Sequence, residues 1–350
     1  MNILITVDKR TELLGIMLLL SNYNKNHNFL IEECGNKDYR EKIFSTFSKY
    51  KNEKAVQILN QIFDELNFRY DAPVSLFLQL NDDFTYSSLD KYPFETRLNK
   101  SQLVLDFLKE LPNFAKTINF EEYYESNRDF YNDIINETNS KIDVEKVVDF
   151  IAEFYNMDIS NIKFVINLLP YTTNGNFGSN HKDITYSNLG LKRFQNKELT
   201  FIRDQDHGTL ALHEFSHSIV NPLTSKYSTI KGKAFADIWE IMVNKAYGDA
   251  ETIINEHIIR ALEIFYLKNI LNTEGTKHLA KEKLEREINV GFKYIETCLN
   301  SLEDYYHDIN QYKDFEEYFP TLLKNLENAT KKDMKVEIVN ETETKEKTDN

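Results

Sequence analysis

Cysteine is scarce. The chain has only Cys34 and Cys298 among its 350 residues. Two thiols that far apart match neither a zinc-ribbon spacing nor a disulfide framework, and both are expected to be reduced and buried. Proline (6) and glycine (10) are also few, which argues against a turn-rich all-β fold and for long helices. No window reaches the roughly 18 apolar residues that a membrane helix needs. The first ten residues, Met-Asn-Ile-Leu-Ile-Thr-Val-Asp-Lys-Arg, lack the pattern of a signal peptide. The expected location is therefore cytoplasmic. Positive charge is in deficit, with 42 Lys and Arg against 56 Asp and Glu, a formal net charge of −14. Such a surface repels phosphate backbones and anionic lipid heads, so neither nucleic acid nor membrane is an expected partner.

What the chain does have is a globular balance: 41% hydrophobic and 28% charged residues, with 24 Phe and 20 Tyr. Residues 2–7 read as a buried strand. Residues 9–22 follow with an apolar helical stripe through Leu13, Leu14, Met17 and Leu18. Residues 40–67 and 100–156 carry helical periodicity, with a capping signal at Ser101; Val74–Leu80 suits a short strand or another helix. The character changes near Asn161. Ile162–Leu169 is short, apolar and β-branched, and 183–189 and 199–203 read as further strands. A helix is expected from about His207 or Gly208 to Val220, ended by Asn221-Pro222. More helices are expected over 234–247, 250–271 and 276–300. The tail from Lys331, rich in Lys, Glu, Thr and Asn, is expected to be loose. The expected class is α+β: mostly helical, with a small mixed sheet beside the helix expected to end near Val220. Residues 1–157 would form an N-terminal mostly helical lobe and 158–330 a second lobe with C-terminal helices, followed by the tail 331–350.

The chemistry concentrates in Thr209-Leu-Ala-Leu-His213-Glu214-Phe-Ser-His217, which contains His-Glu-x-x-His. Histidines at i and i+4 share one helix face, so both imidazoles can reach one ion. The Glu between them can take a proton from a metal-activated water and pass it to a leaving amine. With 8 His in the chain the pattern arises by chance on the order of 1% of the time. Leu210, Leu212, Phe215, Ile219 and Val220 give the segment an apolar body, and three candidate strands precede it. The plain alternative is a helix with two solvated histidines.

Catalytic zinc takes three protein ligands and keeps a position open. The third is expected from the helix that holds Asn255-Glu256-His257-Ile-Ile-Arg260, with Glu256 ahead of Glu251, Glu240 and His257. Arg260, one turn after Glu256, would orient that carboxylate, hold substrate or simply be a solvated charge. Asn176–His181, with Phe177 and His181, is either an edge strand that receives peptide or an ordinary loop. His181 and His207 are further possible neighbours of the site. Tyr227, Tyr247 and His257 are alternative donors to a transition-state oxyanion, and the sequence does not choose among them.

The segments Val7–Leu14, Tyr70-Asp71-Ala72-Pro73, His213–Pro222 and Asn255–Ala261 together resemble a bacterial family labelled a domain of unknown function and predicted to be gluzincin-like metallopeptidases. The resemblance spans residues 1 to about 325, with the His-Glu-x-x-His segment its most specific part. It implies zinc ligands at His213, His217 and Glu256, Glu214 as base, and an N-terminal lobe packed with the catalytic lobe. It implies no substrate. The expectation is a metallopeptidase with one zinc per chain, acting on peptide or protein. Rival readings are a zinc hydrolase of a non-peptide amide, a zincin fold kept for peptide binding or regulation, and a metal-free helical protein.

Overall fold

The computed structural model describes residues 4–23, 37–156, 158, 162–169, 176–182, 184–195, 198–201 and 208–348. Cys34 and His207 lie outside them. The chain packs as two units. The first comprises Met1–Val148 and Ile159–Phe215; the second comprises Asp149–Asp158 and Ser216–Asn350. Ile159–Phe215 thus goes with the N-terminal residues, although the sequence reading grouped it with the later ones. Strand pairing is the reason, because the N-terminal strand Leu4–Thr6 (β1) lies parallel to Ile162–Asn167 (β2).

The sheet of the first unit has the order β1-β2-β4-β3, where β3 is Phe177–His181 and β4 is Ile184–Gln195. A fifth strand, Glu198–Phe201 (β5), pairs with the far part of β4. β2 runs parallel to β4, whereas β3 and β5 are antiparallel to it, so the sheet is small and mixed as expected. Ile162, Phe164, Val165 and Ile166 are all buried, the pattern of a strand covered on both faces. Within Asn176–His181, Phe177–His181 forms an end strand rather than a loop. Its small residues fit because Gly178 and Ser179 sit opposite Ser187 and Tyr186 of β4.

Helix Lys9–Leu20 opens on Asp8, whose side chain accepts from the Arg10 N–H. Helices Lys37–Phe47, Lys54–Glu65 and Gln102–Thr117 bury one apolar face each. The stretch after Asp71 is the helix Ala72–Phe77, not a strand; Pro73 stands in its first turn, where its missing N–H costs nothing.

In the second unit, helix Ala250–Phe265 is buried continuously from Ile253 to Phe265. A helix buried on all sides is normally apolar. This one carries Glu256, His257, Arg260 and Glu263 inward. Around it, Phe150 stacks on Phe265 at 6.0 Å, and the Tyr305 hydroxyl donates to the Phe154 carbonyl at 2.9 Å. The helix continues as a π-helical segment, Tyr266–Leu271. Helices Glu274–Asn289 and Ile295–His307 follow, separated by a turn in which Gly291 takes φ +111°. Phe315–Thr348 is one helix, so the expected loose tail is helical through Thr348. Residues 331–348 contain neither Gly nor Pro, and pairs such as Glu327–Lys331, 2.8 Å apart one turn from each other, favour helix. Among the described residues, no helix is long and apolar enough to cross a membrane.

Candidate metal centre

The His-Glu-x-x-His segment lies on helix Thr209–Tyr227. Gly208 turns the chain into it with φ +77°, and a Cβ there would stand 2.6 Å from Val147 Cγ2, so only glycine fits. Leu210, Leu212, Phe215 and Val220 are buried, and the Phe215 ring lies 6.4 Å from Phe164 of β2. The helix therefore starts on packed ground. It does not stop at Asn221-Pro222. Pro222 sits inside it, giving up one backbone N–H, and the bond from Ser228 N to Thr224 O (2.9 Å) shows regular pairing afterwards.

That continuation matters because Asn221 stays on the helix, four residues after His217. The two side chains meet at 3.2 Å, His217 Nδ1 to Asn221 Oδ1. With the amide oxygen accepting, Nδ1 carries the ring proton and Nε2 presents its lone pair. Nε2 stands 3.5 Å from Glu256 Oε1. That is long for a hydrogen bond, which prefers about 2.7–3.2 Å. Two atoms bound to one tetrahedral zinc at about 2.0–2.1 Å each stand roughly 3.4 Å apart. One ligand atom from each of His213, His217 and Glu256 lies within 4.8 Å of the others. Two imidazoles and a carboxylate are a borderline-hard donor set that zinc accepts. The residues therefore fit such an ion.

Burial supports the same assignment. His213 and Glu256 are buried, and His217 is partly open. Glu214, next to His213, is buried as well, at 5% exposure.

Glu256 is held from behind. Arg260 donates from Nε to Glu256 Oε2 at 3.0 Å, and its NH2 stands 3.0 Å from the same oxygen. The other carboxylate oxygen, Oε1, is the one that faces His217. Of the roles open to Arg260 in the sequence, orienting the carboxylate is the one its contacts match. Arg260 in turn donates to Glu287 Oε2 at 3.2 Å and to the Tyr247 hydroxyl at 3.2 Å, with its guanidinium 4.4 Å from the centre of the Phe292 ring. Burial opposes the arginine's charge, but Glu256, Tyr247 and Glu287 outweigh it and hold the group above its ordinary value.

The remaining candidates separate clearly. Glu251 and Glu240 are exposed and outside the cluster. Asn255 is buried beside Glu256, with its Oδ1 lacking a partner. His257 points into an aromatic box, with ring centres of Phe235, Phe292 and Tyr294 at 6.3, 5.1 and 6.1 Å. Its Nδ1 donates to the Ile253 carbonyl at 2.7 Å, and burial pushes its pKa down to about 4, so it is a neutral packing residue rather than a ligand. Tyr227 lies ten residues beyond His217 on the same helix, about 15 Å along its axis, and donates to Glu316 Oε1 at 2.6 Å. Tyr247 is tied to Arg260. His181, at the end of β3, binds Asp90 Oδ2 through Nδ1 at 2.7 Å, and Phe177 opens the same strand. Sequence reasoning missed Asn221 and Glu287. The first is detectable as an Asn one turn after His217, although Asn221-Pro222 also reads as a helix stop. The second belongs to a different helix and carries no motif.

No curated protein and no solved structure matches the chain at a significant level. The pattern of one protein family matches residues 3–325, nearly the whole chain. The chain belongs to that family, described as a domain of unknown function (DUF4932).

Proposed function

We propose that this chain is a zinc-dependent metallopeptidase of the gluzincin kind, with His213, His217 and Glu256 as ligands and Glu214 as general base. The observation that carries the reading is the carboxylate of Glu256. One of its oxygens faces His217 Nε2 at ligand-to-ligand spacing, and the other is engaged by Arg260. A carboxylate held by one oxygen serves as a one-point ligand, which suits a site of three protein donors with a position left for substrate. When bound, zinc supplies Lewis acidity and makes water a nucleophile near neutral pH. Glu214 takes the proton as the water oxygen bonds to the scissile carbonyl carbon, and delivers it to the amine nitrogen as the carbon–nitrogen bond breaks. The catalytic lobe in this reading is zincin-like, and the net charge of −14 keeps nucleic acid out of the partner list.

The test pairs metal analysis with a proteome-derived peptide library. Purified protein should hold one zinc per chain and cleave peptides, and Glu214→Gln should keep the metal while losing turnover. Stoichiometric zinc with no cleavage of any peptide would move the reading to a non-peptide amide or to a binding module. Absence of zinc would end it.

A further inference from the structure

Behind the metal cluster lies a row of buried charges on two helices of the second unit. Glu256, Arg260 and Glu263 come from helix Ala250–Phe265, and Glu287 and Lys283 from helix Glu274–Asn289. Arg260 bridges Glu256 and Glu287; one turn on, Lys283 meets Glu263 at 2.6 Å. All five are buried. A lone Arg–Glu pair would pull the carboxylate's charge toward the guanidinium and away from any ion on its other side. A second carboxylate on the far side of the arginine offsets that pull. The set Glu256, Arg260 and Glu287 then presents one net negative charge to the cluster, where Glu256 and Arg260 alone would present none.

The geometry of the guanidinium is fixed as well. Its Nε and NH2 both engage Glu256 Oε2, NH1 reaches Glu287 Oε2, NH2 also meets Tyr247, and its face lies on Phe292. A lysine ammonium cannot make this three-way, planar set of contacts. Exposed Arg286 also approaches the other oxygen of Glu287, at 3.5 Å. That contact is open to water and contributes little.

We propose that Glu287 is a positioning residue for the metal ligand Glu256, acting through Arg260, and that this relay sets the affinity for the ion. The inference rests on the metallopeptidase reading of the cluster. It assigns Glu287 no contact with the ion or with substrate. It adds that metal strength is tuned from a helix that supplies no ligand.

The experiment is a chelator-competition titration of the full-length apoprotein with Zn(II), alongside absorption spectra of the Co(II)-loaded protein and far-ultraviolet circular dichroism as a folding control. Glu287→Gln should bind zinc about 10- to 100-fold more weakly than wild type, and Glu287→Asp, which keeps the charge, should recover most of the loss. Arg260→Lys keeps the charge but not the fork, so it should shift the cobalt bands, a signature that packing alone does not move. Should Glu287→Gln fail to fold, the other two variants still decide the matter. Wild-type zinc affinity in a folded Glu287→Gln, or an unchanged cobalt spectrum in Arg260→Lys, overturns the relay while leaving the metal reading intact. A wild-type chain that binds no zinc overturns both.

Discussion

Arg260 and Glu256 lie one turn apart on a buried helix, with Arg260 Nε 3.0 Å from Glu256 Oε2, and the other oxygen of the carboxylate faces His217. Both side chains are buried, and the contact holds the carboxylate in one orientation. Water is kept from a charge that would otherwise need it, and the arginine supplies the compensation.

Glu214 lies next to His213 without belonging to the cluster itself. Glu214→Gln keeps the volume and removes the base. Steady-state kinetics on a cleaved peptide should show kcat/KM falling about 10²- to 10⁴-fold at unchanged zinc content. Loss of zinc in this variant would mean that the residue acts through the metal site rather than on the proton.

Lys283 and Glu263 form an ion pair with both side chains almost fully buried. Lys283→Met removes the cation from this buried pair. Denaturant unfolding should show a loss of about 3–5 kcal/mol. A double replacement of both residues by apolar groups should recover much of it. A single replacement with no effect would show that water already reaches the pair.

Glu12 is buried in the first unit, where the Tyr39 hydroxyl donates to it at 2.5 Å and itself meets Tyr131 at 3.0 Å. Burial raises its pKa from 4.5 to about 7, and the hydrogen bonds from Tyr39 and the Leu168 backbone only partly offset that. Between those two values the folded chain holds a proton that the unfolded chain has released. Stability from this group is therefore complete below pH 4.5 and is lost as pH rises through about 7, by roughly 3 kcal/mol in all. Glu12→Gln, neutral at every pH, should flatten the stability profile across that window. A wild-type profile unaffected by the replacement would place the titration elsewhere.

Cys298 is a free, fully buried thiol whose pKa burial pushes up to about 12. Iodoacetamide at pH 8 should leave it unmodified in the folded protein and label it after denaturation, as read by peptide mass. Labelling at a native rate would show that its helix opens readily.

Much of this was legible in the residue pattern, and the failures have physical causes. The apolar run at 162–167 and the stripe around His213 each announce one element, because burial imposes period and composition locally. The strand at Phe177–His181 stayed open between two readings because Gly178 and Asn180 have little intrinsic strand preference, and it is β4 that holds them extended. Pro222 read as a terminator, yet one missing N–H did not outweigh the packing of Leu223 and Thr224, both buried beyond it. That Glu256 approaches the histidines was expected from the residues around it, and its Oε1 stands 3.5 Å from His217 Nε2. For Arg260 the contact with Glu256 was one of three readings left open, and Glu287 carried no signal, since its contact depends on two helices meeting in a particular register and nothing local encodes that.

The most direct measurement is the zinc content and affinity of the purified chain, wild type against His213→Ala and Glu256→Ala. The account expects one tightly held zinc per wild-type chain and a large loss of affinity in each variant, with the fold retained. A wild-type chain free of zinc after loading, or a Glu256→Ala variant that binds it as tightly as wild type, would contradict the account.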